Sequence, residues 1–304
     1  IRPLGLSRVH GRANLRNRIV NGNFAISQEF GAASTTITAA ADLKYVIDQH
    51  YAYCTGANIT GQQITVTDNS KRYRFTGAAS NATVGFATRL PASHTLDMTN
   101  ATATLSVKLS SSSITTVNWQ AYYANTLDTF GTLASPTRTS IASGSFTISS
   151  TEATYSAQIS VPTAAKTGVE IVYSTGALTA GNTLTFGDNQ FEKGALTTSE
   201  IVPEVIDTPI NSLRCRWFYE IVSPISFEGY AAASVGIGSS RSFDKKRSVP
   251  TAAVVTAPSY VNTSGFTVYG VTDTGFSFVA VVTGLGGANF GTTTPAVVSF
   301  NSRL

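Results

Sequence analysis

Cutting a glycosidic bond takes two carboxyl groups held a few ångströms apart. The 304-residue sequence has 17 acidic residues, and between 101 and 187 these are only Asp128, Glu152 and Glu170, spread over different strand-like runs. Glu200 and Glu204 are neighbours, but in a proline-bearing stretch that reads as linker. The three histidines, His10, His50 and His94, have no serine, cysteine or carboxylate partner in a catalytic spacing, and no His-Glu-x-x-His run occurs. Cys54 and Cys215 stand far apart without Cys-x-x-Cys spacing, so they form neither a disulfide framework nor a zinc site. Two free thiols is the plain reading, and one long-range disulfide the alternative. Gly284-Leu285-Gly286-Gly287 precedes no phosphate-binding helix and reads as a turn. The sequence is thus poorly equipped for catalysis, and the expectation is that this is not an enzyme.

Sugar binding asks for something else: aromatic rings that stack on pyranose faces, with amides and carboxylates nearby. Trp119, Tyr122 and Tyr123 form one cluster, Tyr51 and Tyr53 a second, and Tyr260, Phe266 and Tyr269 a third. Strand alternation puts Trp119, Ala121 and Tyr123 on one face, the core face, and Gln120 and Tyr122 on the other. Tyr122, Tyr260 and Tyr269 are therefore the candidate glycan-binding residues. Packing between subunits is the alternative for Tyr260 and Tyr269.

These residues need a β scaffold. Charged residues are only 12% of the chain and hydrophobic ones 42%, with Thr, Ser, Ala, Asn and Gly in place of the Glu, Lys and Arg of helix surfaces. Alternating runs such as 103–109, 117–123 and 155–161 recur between turn signals, the pattern of antiparallel strands in a sandwich or jelly roll. The chain divides into a basic arm over 1–18, a jelly-roll β-sandwich over 19–195, a linker with a short helix over 196–224, and a second small β-sandwich domain over 225–304. In the linker, Asn211 is placed to cap a helix running through Arg214, Trp217 and Phe218. The fold class is all-β.

Net charge is +4, and Arg2, Arg8, Arg12, Arg16 and Arg18 sit in the first twenty residues with no acidic residue among them. Such an arm suits docking on an acidic protein surface better than a nucleic-acid groove, so neither nucleic acid nor membrane is an expected partner. No signal-peptide pattern is visible, and the sequence begins at Ile1.

Several stretches together resemble a family of tailed-bacteriophage tail-fibre and particle-appendage proteins. They are Asn21-Gly22-Asn23-Phe24-Ala25-Ile26-Ser27-Gln28, then Gln190-Phe191-Glu192-Lys193-Gly194-Ala195, then Leu213-Arg214-Cys215-Arg216-Trp217-Phe218-Tyr219-Glu220, and Phe243-Asp244-Lys245-Lys246-Arg247-Ser248-Val249-Pro250-Thr251, with Ser302-Arg303-Leu304 at the end. Asp48-Gln49-His50-Tyr51 departs from the family's Asp-Arg-Trp signature. The resemblance implies a carbohydrate-binding-module-like jelly roll, a connecting helix and a C-terminal β domain, assembled as a homotrimer on the outside of a virion. The arm would then hold the chain to other virion proteins, and the body would bind host-surface polysaccharide. Jelly rolls of this type also hold a structural calcium, for which Asn23 (or Asn21) and Asp188 are the matching positions; no other cofactor is expected. The competing readings are a glycan depolymerase on the same particle, a purely structural head or neck decoration protein, and a secreted adhesin.

Overall fold

The computed structural model describes residues 15–204, 206–284 and 286–304. The chain forms two compact units. The first comprises the described residues up to Ala25, Ala32–Val46 and His50–Ile206; the second comprises Ile26–Gly31, Ile47–Gln49 and Asp207–Leu304. Two short segments expected within the jelly roll thus group with the second unit.

The first unit carries β1 (Thr35–Ile37), β2 (Lys44–Ile47), β3 (His50–Thr55), β4 (Ile59–Thr65), β5 (Lys71–Thr76), β6 (Thr83–Leu90), β7 (Ala101–Ser111), β8 (Thr116–Ala124), β9 (Arg138–Thr147), β10 (Ala153–Val161), β11 (Val169–Thr175) and β12 (Thr183–Lys193). They build two six-stranded sheets, ordered β1-β4-β5-β12-β7-β10 and β2-β3-β6-β11-β8-β9. Strands β5 to β12 enter the two sheets alternately except at the β8-β9 hairpin, giving β5-β12-β7-β10 opposite β6-β11-β8-β9. This is jelly-roll topology. Alternation sends Ala103, Leu105, Val107 and Leu109 of β7 inward. Rings from both sheets interlock between them: Phe86 lies 4.8 Å from Phe186 and 5.4 Å from Phe75, and Tyr173 lies 5.6 Å from Phe186. His50 packs in this core, stacked on Phe86 at 5.3 Å and edge-on to Phe24 at 4.9 Å.

The segment Phe24-Ala25-Ile26 of the Asn21–Gln28 motif forms no strand. Asn21 and Phe24 have positive φ (57° and 54°), so the chain turns there. Gly22 lies so close to β12 that a Cβ would come within 2.0 Å of the Asn189 carbonyl oxygen. Only glycine allows that approach, which accounts for the Asn-Gly-Asn-Phe motif. The segment docks at the bulge of β12, where Asn189 N donates to Gly22 O (2.8 Å). Asn17 completes the joint: its Oδ1 accepts from Ile19 N and Phe191 N, and its Nδ2 donates to Asn189 O. The part of the 1–18 arm that the structure describes is therefore tied to β12.

The second unit holds α2 (Thr208–Arg216), numbered after the short α1 (Ala92–Thr95) of the first unit, which contains His94. Its strands are β13 (Tyr219–Ile225), β14 (Phe227–Ala231), β15 (Gly236–Ser242), β16 (Thr251–Thr256), β17 (Tyr260–Val261), β18 (Thr263–Tyr269), β19 (Gly275–Val282), β20 (Gly286–Phe290) and β21 (Ala296–Asn301). They form three three-stranded sheets, β13-β21-β16, β14-β20-β17 and β15-β19-β18. Phe276, Phe278, Phe290 and Phe300 lock the sheets together, with Phe276 and Phe300 at 4.5 Å and Phe278 and Phe290 at 5.8 Å.

Three expectations shift here. The helix starts at Thr208 because Pro209 fits a first helical turn, and it ends at Arg216, short of Trp217 and Phe218. Tyr219–Ile225 is a strand on β21 rather than linker. Gly286 and Gly287, read as a turn, open β20. Buried Lys246 closes the C-terminal end of α2: its ammonium donates to Arg216 O (2.7 Å), pairs with the Glu220 carboxylate and lies 4.7 Å from the Phe243 ring centroid. Cys54 and Cys215 are both buried and free. No described helix is long and apolar enough to cross a membrane.

Candidate functional site

The outer face of the sheet β2-β3-β6-β11-β8-β9 carries a platform that strand register assembles from distant sequence. Across it, Tyr51 pairs with Ala87, Ala87 with Val172, and Val172 with Gln120; one row over, Tyr53 pairs with Gly85, Gly85 with Ser174, and Ser174 with Asn118. A third row runs Arg89, Glu170, Tyr122 and Ser140. Tyr45, Tyr53, Tyr122, Leu43 and Leu133 pack half-buried against the buried patch of Tyr51, Ala87 and Val172.

Tyr53 lies flat on the sheet. A Cβ on Gly85 would meet its Cζ at 2.1 Å, Cε1 at 2.2 Å and Cε2 at 2.5 Å, so the phenol end of the ring covers the glycine. The ring's other face points away from the sheet. Beside it the Tyr122 hydroxyl donates to Gln120 Oε1 (2.5 Å), and Asn118, Ser143 and Ser145 stand exposed on the same face.

Beneath lies one charged knot. Glu170 is fully buried and accepts from the Tyr51 hydroxyl (2.6 Å) and Arg89 Nε (2.6 Å) on Oε1, and from Arg138 Nη1 on Oε2. A carboxylate held by two guanidiniums and a phenol is a structural acceptor, since the pairing offsets the cost of burying its charge. Burial pushes the Tyr51 hydroxyl up to about 12, against the pull of Arg89 and Arg138, and raises Tyr53 as well. Both phenols are therefore neutral donors at physiological pH. Arg138 stacks over Tyr122, 4.2 Å from the ring centroid, a cation–π contact.

Of the candidates named from sequence, Tyr122 is on this platform. Tyr260 and Tyr269 are exposed, but belong to the second unit, on β17 and β18. Trp119 faces the core, as alternation indicates, at 7% exposure. The sequence reading missed Gly85, Arg138 and the joining of Tyr51 and Tyr53 with Tyr122. A signal existed in Tyr51-Ala52-Tyr53, whose spacing of two puts both rings on one strand face. Glu170, a lone charge in an apolar run, was the other.

The expected calcium does not fit. Asn23 and Asp188 do line one small cavity with Glu204, but the Asp188 carboxylate sits 2.8 Å from Lys108 Nζ and 3.7 Å from Arg72 Nη2. The two Glu204 oxygens accept from Arg16 N and Asn17 N. A calcium ion there would be a third cation, competing with two resident ones. Among the described residues no group of three His, Cys, Asp or Glu could hold a metal. Arg16 pairs with Glu192 at 3.9 Å and Arg18 with Asp97 at 2.6 Å, so both anchor candidates are engaged within the chain. Arg2, Arg8 and Arg12 lie outside the described residues.

No family model and no curated protein matches the sequence. Among solved structures, the chain is similar to a CBM4 module (15% identity, TM-score 0.35, covering 58% of this chain and 99% of that one). It is similar to the enzymatically active domain of tailspike protein 4 from bacteriophage CBA120 (15% identity, TM-score 0.36, covering 59% and 22%). It is also similar to the N-terminal cellulose-binding domain of a Cellulomonas fimi β-1,4-glucanase (12% identity, TM-score 0.30, covering 57% and 95%).

Proposed function

We propose that the chain is a non-catalytic glycan-binding subunit of a bacteriophage appendage, acting through the outer face of the sheet β2-β3-β6-β11-β8-β9. The observation that carries the binding reading is the Tyr53 ring laid flat over Gly85, beside Tyr122 and exposed Asn118, Ser143 and Ser145. A flat ring takes the apolar face of a pyranose, while amides and hydroxyls take its edge. The tail-fibre motifs around Asn21, Gln190, Cys215 and Phe243 support the particle role, in which the basic arm over 1–18 would dock the chain on other virion proteins.

Binding without cleavage fits the carboxylates. Asp128 Oδ1 accepts from Ala92 N, both Glu152 oxygens hold Arg72, and Glu170 is saturated. None forms an acid–base pair. In affinity electrophoresis, host-surface polysaccharide in the gel should retard the protein, and the polymer's size should not fall. Retardation should disappear with Tyr53→Ala. Depolymerisation would establish the enzyme reading instead, and retardation unchanged by Tyr53→Ala would move the site elsewhere. If glycan is neither bound nor cut, the chain is a decoration protein.

A second reading joins this one. The second unit exposes Tyr230, Val249, Val254, Val255, Val261 and Tyr269, a surface that copies of the chain in a homotrimer would cover. Several copies would also multiply weak single-site affinity.

A further inference from the structure

The charged groups on the platform and its rim are Arg89, Arg138, Glu170 and Asp42. Glu170 sits between Arg89, at 2.6 Å, and Arg138, and its one negative charge serves both. Asp42, at the rim, accepts from Leu43 N and Leu133 N, and its charge is felt at Arg89. Arg138 is the group with donors to spare. A guanidinium has five N–H donors in a fixed plane, and among the described residues Arg138 spends only Nη1, on Glu170. Its side chain keeps 15% of its surface exposed, on the face that carries Tyr53 and Tyr122. The neighbours that neutralise it also hold it still: Glu170 from below and the Tyr122 ring at 4.2 Å. A planar donor pair so fixed matches a carboxylate bidentately and loses little freedom on binding.

We infer that the ligand is an acidic polysaccharide, the free edge of the Arg138 guanidinium taking the carboxylate of a uronic-acid-type residue whose ring rests on Tyr53. This rests on the glycan-binding reading of the same face and adds the chemical class of the sugar. A neutral hexose in that place has only hydroxyls to offer Arg138, and a neutral acceptor makes a bond about half as strong as a carboxylate does.

The test uses the full chain and a panel of polyuronates (polygalacturonate, alginate and hyaluronan), each beside its carboxyl-reduced, neutral counterpart. Affinity for at least one acidic form should exceed that for its reduced form about tenfold or more, and should fall as salt rises. Arg138→Gln should abolish the preference. Arg138→Lys, which keeps the charge against Glu170 that Arg138→Gln removes, should weaken acidic binding several-fold more than binding of the neutral counterpart. Equal, Tyr53-dependent binding of acidic and reduced polymers would overturn the acidic-ligand inference and leave the platform standing. A preference that survives both Arg138 substitutions would also overturn it. Failure to bind any acidic polymer, while a neutral host glycan binds through Tyr53, would do the same. Failure to bind any glycan would overturn the platform reading together with the inference.

Discussion

Among the described residues the first unit leaves three large apolar side chains exposed, Leu96, Leu127 and Val202, against eleven in the second unit. The difference follows from sheet size. Two six-stranded sheets can cover each other and place polar residues on both outer faces. Three-stranded sheets bury one side on a shared phenylalanine core, but their edges are a large share of each sheet. β16 shows the result: Val254 and Val255 are 45% and 58% exposed on a strand at a sheet edge. In the proposed reading the first unit presents a surface to a ligand, and the second offers its apolar surface to other copies.

The sharpest way to break this comparison is at Lys246. Its ammonium is buried against Glu220 and the last carbonyl of α2, so Lys246→Ala leaves the largely buried Glu220 carboxylate with Arg216 alone, at 3.7 Å, and uncaps the helix end. Removing one partner of a buried pair costs about 3–5 kcal/mol. Calorimetry should show the second unit's transition collapse while the first unit's stays in place. Equal shifts in both would mean that the two units melt as one.

Next in size is association. Val254→Asp with Val255→Asp puts two charges on the exposed edge without touching the core. Native mass measurement should give an oligomer for the unaltered chain and a monomer for the double substitution, with both units still folded. A stable monomer of the unaltered chain at micromolar concentration would remove the homotrimer reading.

The third prediction sharpens the role of the first unit. Gly85→Ala places a Cβ against the underside of Tyr53 and lifts the ring off the sheet. Glycan affinity should drop about tenfold, or about 1.4 kcal/mol, with association unaffected. Unchanged affinity would mean that the flat ring is not the contact.

The strands with one apolar and one polar face were the legible part of the sequence: β7, β8 and β10 lie where the alternating runs 103–109, 117–123 and 155–161 lie. β6 was not among those runs because Thr83–Leu90 carries Gly85 and Ala87 on its outer face, where the pattern expects polar residues. That interruption is the platform itself. Its members come from β3, β6, β8, β9 and β11, and only the register of the sheet brings them together; no local spacing encodes it. The calcium expectation failed for a similar reason, since Lys108 and Arg72 reach Asp188 from other strands.

The smallest effect tests the joint between the N-terminal segment and β12, inside the first unit. Glu192 is 3% exposed, its Oε1 is buried without a partner, and Arg16 stands 3.9 Å from Oε2. Burial raises its pKa above the usual carboxylate range, Arg16 opposes this, and Glu204 adds to it. A carboxyl whose pKa is higher in the fold keeps its proton after the unfolded chain has released it. Stability therefore falls as pH rises through that window, and the whole cost is present at pH 7. Acidification toward the unfolded value recovers it. Glu192→Gln removes the charge at every pH. It should raise the first unit's melting temperature by about 1–2 °C at pH 7, with no difference near pH 4, where Glu192 is itself protonated. The second unit's transition should not move. A lower melting temperature at pH 7 would mean that the attraction of Arg16 outweighs burial, and that the N-terminal segment is held by charge more than by the hydrogen bonds of Asn17.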